Sequence, residues 1–189
     1  MNRTTFVELD QASTLIRQGR VLAYPTEGVW GLGCDPDNTE ALEHLLALKQ
    51  RAPEKGLILI AASIEQFDPW LRGLDTASLE QLRASWPAAL TWLVPDNGRT
   101  HPLVKGEHDR VALRVTPHPL VIALCKAFGG PIVSTSANRA GEPAATTAEE
   151  VRTAFQGESL ALLDGKTGGR IQPSDIRDLV TGEWLRRNE

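Results

Sequence analysis

Residues Pro131–Pro143 read PIVSTSANRAGEP. The apolar run Pro131-Ile132-Val133 stops at Ser134-Thr135-Ser136-Ala137-Asn138, and a bounded apolar run of this kind reads as a buried strand. Three hydroxyls and an amide then leave the sheet together, before a turn at Ala140-Gly141. In an open α/β sheet, small polar side chains at the end of a buried strand stand where ligands bind. The same residue types also build plain polar turns. Two further stretches therefore carry weight: YPTEGVWGLG at Tyr24–Gly33 and LKQRAPEKGLILI at Leu48–Ile60.

The chain has 189 residues, 41% hydrophobic and 23% charged. That is a globular composition and enough length for one domain, residues 1–189, with a core of its own. No apolar run reaches membrane-spanning length, and no apolar segment follows Met1–Thr5, so neither a signal peptide nor a membrane role is expected. Cys34 and Cys125 are far apart and outside CxxC spacing, which predicts two reduced thiols in a cytoplasmic protein. The net charge of −4 argues against a dedicated nucleic-acid binder, yet total charge leaves room for a basic patch on one face.

Working outward, the pattern predicts a helix over Leu9–Gly19 and a buried strand over Val21–Tyr24 ended by Pro25. Thr26–Asp35 is punctuated by Gly28, Gly31 and Gly33, so its backbone can approach a ligand or another strand closely. A helix capped by Asn38 or Thr39 turns Leu42, Leu45, Leu46 and Leu48 inward and ends near Lys49–Arg51. Leu57–Ala62 reads as a buried strand, and Ser63–Leu71 and Ala77–Trp86 read as helical. Leu90–Val94 and Val111–Val115 read as strands, with Asp96–Arg110 a polar loop between them. Pro119–Phe128 is a helix ended by Gly129-Gly130. Thr147–Phe155 is a helix with acids in its first turn. Leu160–Leu163 is a strand, Gly165–Arg170 a basic glycine-rich loop, and Asp175–Val180 with Glu183–Arg186 a terminal hairpin. Alternating strands and helices with some hairpins give an α/β fold with a mixed sheet.

Lys49, Arg51 and Lys55 lie within seven residues. Cations are favoured at any helix C-terminus, which accounts for the first two. Lys55 abuts a strand, and cations packed at a strand mouth suit an anion such as a triphosphate. Arg114 sits inside VALRVT; it either faces water from an edge strand or clamps a substrate carboxylate from a buried one. Other motifs fail. Gly165-Lys166-Thr167 lacks the earlier glycine and the following helix of a P-loop. The four histidines lack metal-ligand spacing, and no serine sits in a GxSxG elbow.

Taken in order, YPTEGVWGLG, LKQRAPEKGLILI and IVSTSAN followed by Gly141, with ALRVT before the third and PSDIRD near the end, closely resemble the YrdC family. These are the threonylcarbamoyl-AMP synthases that start the threonylcarbamoyladenosine modification of tRNA position 37 in ANN-decoding tRNAs. The resemblance covers roughly Gly19 to Leu185 and matches the short bacterial form. It implies a twisted mixed sheet flanked by helices, with a concave, locally positive cleft. It implies synthesis of threonylcarbamoyl-adenylate and pyrophosphate from L-threonine, bicarbonate (or CO₂) and ATP, a nucleotidyl transfer. It places Lys49, Arg51, Ser136 and Asn138 on ATP, where the charge of Lys55 is expected to join them, and Thr26, Arg114, Ser134 and Ser174 on threonine. It implies Mg²⁺ carried in by ATP, weak tRNA contact, and handover of product to a threonylcarbamoyl transferase complex. This chain departs from the broader pattern at Gly28, where many members have a second threonine. It departs again at Lys55-Gly56, where many have Asn-Pro, and at Ile60, where longer members have histidine.

The chemistry accords with the residues. A carbamate must attack the α-phosphorus of ATP, so two anions meet, and such transfers need positioning and charge neutralisation more than a protein nucleophile. Lys49 and Arg51 are expected to face the cleft. The competing reading is a non-catalytic RNA-binding or ribosome-maturation factor using the same cleft. The acidic total charge and the lack of a stacking platform count against it.

Overall fold

In the computed structural model, which describes residues 4–170 and 172–188, the stretch quoted first lies at the centre of the sheet. In chain order the first elements are β1 (Thr5–Val7), α1 (Leu9–Arg17), β2 (Leu22–Pro25), β3 (Trp30–Gly33), α2 (Thr39–Lys49) and β4 (Ile58–Ala61). Next come α3 (Asp68–Leu71), α4 (Thr76–Ser85), β5 (Leu90–Pro95), α5 (Pro102–Lys105), β6 (Arg110–Val115) and α6 (Pro119–Phe128). The chain ends with β7 (Ile132–Ser136), α7 (Ala148–Ala154), β8 (Ala161–Leu163), β9 (Asp175–Asp178) and β10 (Trp184–Arg186). Among the described residues, ten strands form one mixed sheet in the order β1-β8-β2-β3-β7-β4-β6-β5-β9-β10.

Period-two alternation assigns the two faces. Along β4, Leu59 and Ala61 join the core under α2, while Ile60 between them joins the core under α1 and α6. On β7, Val133 goes to the first core and Ile132 to the second. The helices start and stop where their caps direct. Asn38 accepts the Ala41 N–H at the head of α2, Thr147 and Glu150 close a capping box on α7, and Gly129 ends α6 at φ 97°.

Three elements escape the sequence pattern. β1 is a three-residue edge strand, too short for periodicity to register. α5 is one turn begun by Pro102, inside what reads as a polar loop. The third, β3, fills the glycine-punctuated stretch, and of the two close approaches expected there it makes the approach to another strand. It pairs antiparallel with β2 and β7, and Gly31 lies opposite Tyr24. A Cβ on Gly33 would stand 2.2 Å from the Val133 carbonyl and 2.8 Å from the Tyr24 ring. The missing side chains make room for that ring, whose hydroxyl crosses to donate to the Val133 carbonyl at 2.9 Å. Tyr24→Phe keeps the ring and orphans that carbonyl. It should lower unfolding free energy by about 1 kcal/mol in a urea titration.

The same alternation creates the cleft. Ile60 pairs with Arg114 on β6 and Ile132 on β7; two residues earlier, Ile58 pairs with Ala112 and Ser134. Both rows lie on one face. The first is covered by α1 and α6 at Ile60 and Ile132, whereas Ile58, Ala112 and Ser134 line an open cavity. Arg114 stands at the boundary between core and opening.

Candidate active site

The cavity has a volume of about 720 Å³, in the upper part of the range usual for small-molecule sites, about 300–1,000 Å³. It runs from the turn after β2 across β7, β4, β6 and β5 to β9 and β10. Seven cations line it against three carboxylates, on a chain whose net charge is −4. Arg51, Lys55, Lys105, Arg110, Arg170 and Arg186 join Arg114 there.

Arg51 and Lys49 diverge. α2 ends with Gln50 in the left-handed region at φ 52°, and the Arg51 N–H turns back to the Leu46 carbonyl at 3.0 Å. This reversal sends the residues on either side of Gln50 different ways. Arg51 lines the cleft, its Nε and Nη2 donating to the Gly56 carbonyl at 3.2 and 2.9 Å. Lys49 is only 2% exposed and absent from the lining. Its Nζ donates to the Ser136 carbonyl at 2.5 Å, the Asn138 carbonyl at 2.9 Å and Asn138 Oδ1 at 3.1 Å. The expectation that Lys49 faces the cleft is therefore corrected: it fastens the Ser136–Asn138 loop from beneath.

That loop is bonded within itself. Ser136 Oγ donates to Asn138 Oδ1 at 2.6 Å, and Asn138 Nδ2 donates to the Arg139 and Glu142 carbonyls at 3.1 and 2.6 Å. Ser136 and Asn138 both border the cleft, but the Asn138 amide acts as the hub of the loop. Burial first, and the Arg51 cation second, lower the Lys49 pKa to about 8. Below that value the ammonium has three N–H groups for three oxygens; above it the neutral amine has two. If the loop holds the triphosphate that the sequence resemblance implies, ATP affinity, followed by calorimetry in a range where the triphosphate no longer titrates, should fall as pH rises through about 8. An affinity flat across that range would separate the loop's grip on nucleotide from Lys49 ionisation.

Across the cleft, Ser134 is buried, with its hydroxyl near that of Tyr24. Thr26 Oγ1 donates to the Val29 carbonyl at 2.7 Å and closes the turn between β2 and β3. Ser174 Oγ is 3.0 Å from Thr91 Oγ1 and accepts from Arg186 Nη2 at 3.3 Å. All three border the cavity together with Arg114. Arg114 is 7% exposed, so the edge-strand reading falls: β6 is an interior strand between β4 and β5.

The chain's departures from the family pattern have local reasons. A Cβ on Gly28 would meet the Arg170 and Gln172 carbonyls at 2.7 and 3.0 Å. The Gly165–Arg170 loop lies over this turn, with the Gly168 and Arg170 N–H groups on the Thr26 and Glu27 carbonyls, both at 2.9 Å. Gly56, at φ 65°, packs against the Lys105 carbonyl and lets α5 dock, which delivers Lys105 beside Lys55. Ile60 is fully buried and does not line the cavity.

Four cleft cations have no counterpart among the sequence candidates: Lys105, Arg170, Arg186 and Arg110. Arg186, on the terminal strand, donates to the Ser174 carbonyl at 2.6 Å, and burial followed by the Arg114 charge lowers its pKa. Arg110 opens β6 and reaches Asp109 and Asp178. Both sit on short strand ends with no local motif; the signal for Arg110 was its place four residues before Arg114 on one strand.

Against this geometry, the family model Sua5/YciO/YrdC, described as telomere recombination, matches residues 14–188. A protein of Chromohalobacter salexigens named threonylcarbamoyl-AMP synthase is 61% identical over 93% of this chain and 95% of its own. A Pseudomonas aeruginosa protein of the same name is 54% identical over 93% of this chain and 94% of its own. The crystal structure of P. abyssi Sua5 complexed with L-threonine superposes with a TM-score of 0.82 at 28% identity, covering 96% of this chain. This chain spans 54% of that longer one. E. coli YciO shares the fold, with a TM-score of 0.81 at 20% identity over 99% of this chain and 98% of its own.

Proposed function

The chain belongs to the Sua5/YciO/YrdC family, and from that membership we propose that it is a threonylcarbamoyl-AMP synthase. It joins L-threonine, bicarbonate and ATP into threonylcarbamoyl-AMP and releases pyrophosphate. The observation that carries this reading is near full-length similarity to enzymes of that name. The cleft suits it chemically.

In this reading ATP lies along the cationic side, with its triphosphate near Arg51, Lys55, Arg110 and Arg186. Each cation about 4 Å from a phosphate contributes roughly 4 kcal/mol at an effective dielectric of about 20, before desolvation. Threonine lies toward Arg114, Ser134, Ser174 and Thr26, its carboxylate on the guanidinium. The threonine nitrogen takes up the carboxyl group of bicarbonate with loss of water and a proton. A carbamate oxygen then attacks the α-phosphorus, and pyrophosphate leaves. This is nucleotidyl transfer without a protein nucleophile, driven by positioning and charge. The lining acids Glu27, Asp109 and Glu142 come from separate segments, and the first two are paired with Arg114 and Arg110. Mg²⁺ accordingly arrives on the triphosphate, held by phosphate and water oxygens. We place the reaction in the cytoplasm, with weak, salt-sensitive tRNA contact and handover of the product to a threonylcarbamoyl transferase complex.

The test is pyrophosphate release from ATP with threonine and bicarbonate each omitted in turn. Release that persists without threonine would contradict the assignment. Ser136→Ala should lower turnover about 10- to 150-fold, the value of one hydrogen bond to a charged group, about 1.5–3 kcal/mol. Intact-mass analysis during turnover should show no adduct on Ser134 or Ser136; a covalent adenylyl or acyl group there would replace the positioning role with a nucleophilic one.

A further inference from the structure

One buried carboxylate stands among the cleft cations. Of the lining acids, Asp109 and Glu142 are exposed, while Glu27 is 8% exposed. It immediately follows Thr26 at the end of β2. Its Oε2 lies 3.7 Å from Arg114 Nη2, an ion pair too long for a hydrogen bond. Among the described residues, neither Glu27 Oε2 nor Arg114 Nε has a hydrogen-bond partner, although both atoms are buried.

The rest of Glu27 is fixed. Oε1 accepts from Thr116 Oγ1 at 2.8 Å, and that hydroxyl accepts the His118 N–H at 3.0 Å. The Glu27 carbonyl accepts the Arg170 N–H at 2.9 Å. The residue is thus held at its main-chain carbonyl and at one carboxylate oxygen, with the second oxygen left toward Arg114. A buried acid with an unsatisfied oxygen is costly and calls for a reason.

Its neighbours supply one. Arg51 and Arg186 are braced by neutral carbonyls, those of Gly56 and Ser174, so both keep their full charge for a polyanion. Arg110 also meets a buried acid, but both oxygens of Asp178 are hydrogen-bonded, whereas the acid beside Arg114 keeps one oxygen without a hydrogen bond among the described residues, so the surroundings of Arg114 are dipolar. A dipolar pair complements a dipolar ligand. An amino acid can set its carboxylate on the guanidinium and its ammonium toward the carboxylate. A simple anion gains from one and is repelled by the other.

We propose that Glu27 makes the Arg114 subsite selective for a zwitterion, drawing the α-ammonium of the amino acid and withholding Arg114 from bicarbonate, phosphate and carboxylates that lack an amine. This rests on the reading of Arg114 as the threonine carboxylate site. Glu27 acts by charge across Arg114, so it is a specificity-determining residue and not a catalytic one. The same device keeps two anionic substrates of one cleft from competing with threonine for its place.

Calorimetry on the intact protein, with L-threonine and with 3-hydroxybutyrate (the same skeleton without the amine), tests the idea. The unaltered protein should bind threonine at least about tenfold more tightly, about 1.4 kcal/mol. Glu27→Gln should weaken threonine about tenfold and tighten 3-hydroxybutyrate, while Glu27→Asp, which keeps the charge, should retain the preference. Parallel weakening of both ligands in Glu27→Gln would overturn the proposal, since Glu27 would then only hold Arg114 in place. Equal affinity of the unaltered protein for both would overturn it too, and needs no variant to fold. Arg114→Lys separates the premise. Threonine binding untouched by that change removes the carboxylate site itself. Weakening of both ligands by Arg114→Lys, with the preference intact in Glu27→Gln, removes only the role of Glu27.

Discussion

Lys49→Ala is expected to lower the melting temperature by about 6–12 °C and to reduce ATP-dependent turnover by about 100-fold. Sequence spacing alone favours a simpler outcome, lost turnover with an unchanged fold, because a lysine beside a helix end reads as a surface phosphate ligand. Burial changes this. The ammonium holds two main-chain carbonyls and the Asn138 side chain. A buried polar group that loses its partner costs about 1–3 kcal/mol, and water recovers part of it, so the three together come to about 3 kcal/mol. At this chain length each kcal/mol moves the midpoint by about 2–4 °C. Turnover falls for a geometric reason. The ammonium fixes where the loop from Ser136 to Asn138 meets the cleft, and a displacement near 1 Å at a reacting centre costs about 100-fold. Thermal denaturation and pyrophosphate release, measured together, check both halves. Lost turnover with an unmoved midpoint would return Lys49 to direct phosphate contact.

How far the sequence could be read follows from the same residues. β2, β4, β6 and β7 were legible because each is an apolar run bounded by turn formers, and α2 because its leucines recur at helical spacing. β3 was not, because Gly33 is glycine for the sake of the Val133 carbonyl and the Tyr24 ring beside it, partners distant in sequence that only pairing reveals. The site divides along a similar line. Arg114 could be singled out because a cation inside an apolar strand conflicts with its surroundings. Lys49 and Arg51 read alike in a helix tail, and only the left-handed turn at Gln50 sends them to different places. Left-handed geometry at a glutamine is unfavourable on its own, so local sequence gives no warning of it. Arg186 is invisible for the opposite reason: it sits in an exposed-looking tail and acquires its role when β10 folds back along β9 and brings it to Ser174.

Arg114→Lys should weaken threonine binding by about 100-fold while ATP binding changes by no more than about threefold. A hundredfold is about 2.7 kcal/mol, the size expected when a planar two-point contact to a carboxylate becomes a single-point one. The neighbourhood adds to the loss. The guanidinium stands 3.7 Å from Glu27 Oε2 without bonding to it, so its donors stay available to a ligand. A lysine ammonium is compact and has a flexible stem. In that place it would close the gap and settle on Oε2, which has no other hydrogen-bond partner among the described residues. The charge at position 114 would survive, but it would point at Glu27 instead of the substrate. ATP is spared because Arg51 and Arg186 keep their own carbonyl partners, and Arg186, which feels the Arg114 charge, still faces a cation when lysine replaces it. Titrating each ligand alone into the variant decides the matter, since neither measurement then depends on turnover. Equal losses for the two ligands would mean that Arg114 serves the cleft as a whole. Threonine affinity kept near the original would show that a charge without planarity suffices, and the two-point carboxylate contact would have to be abandoned.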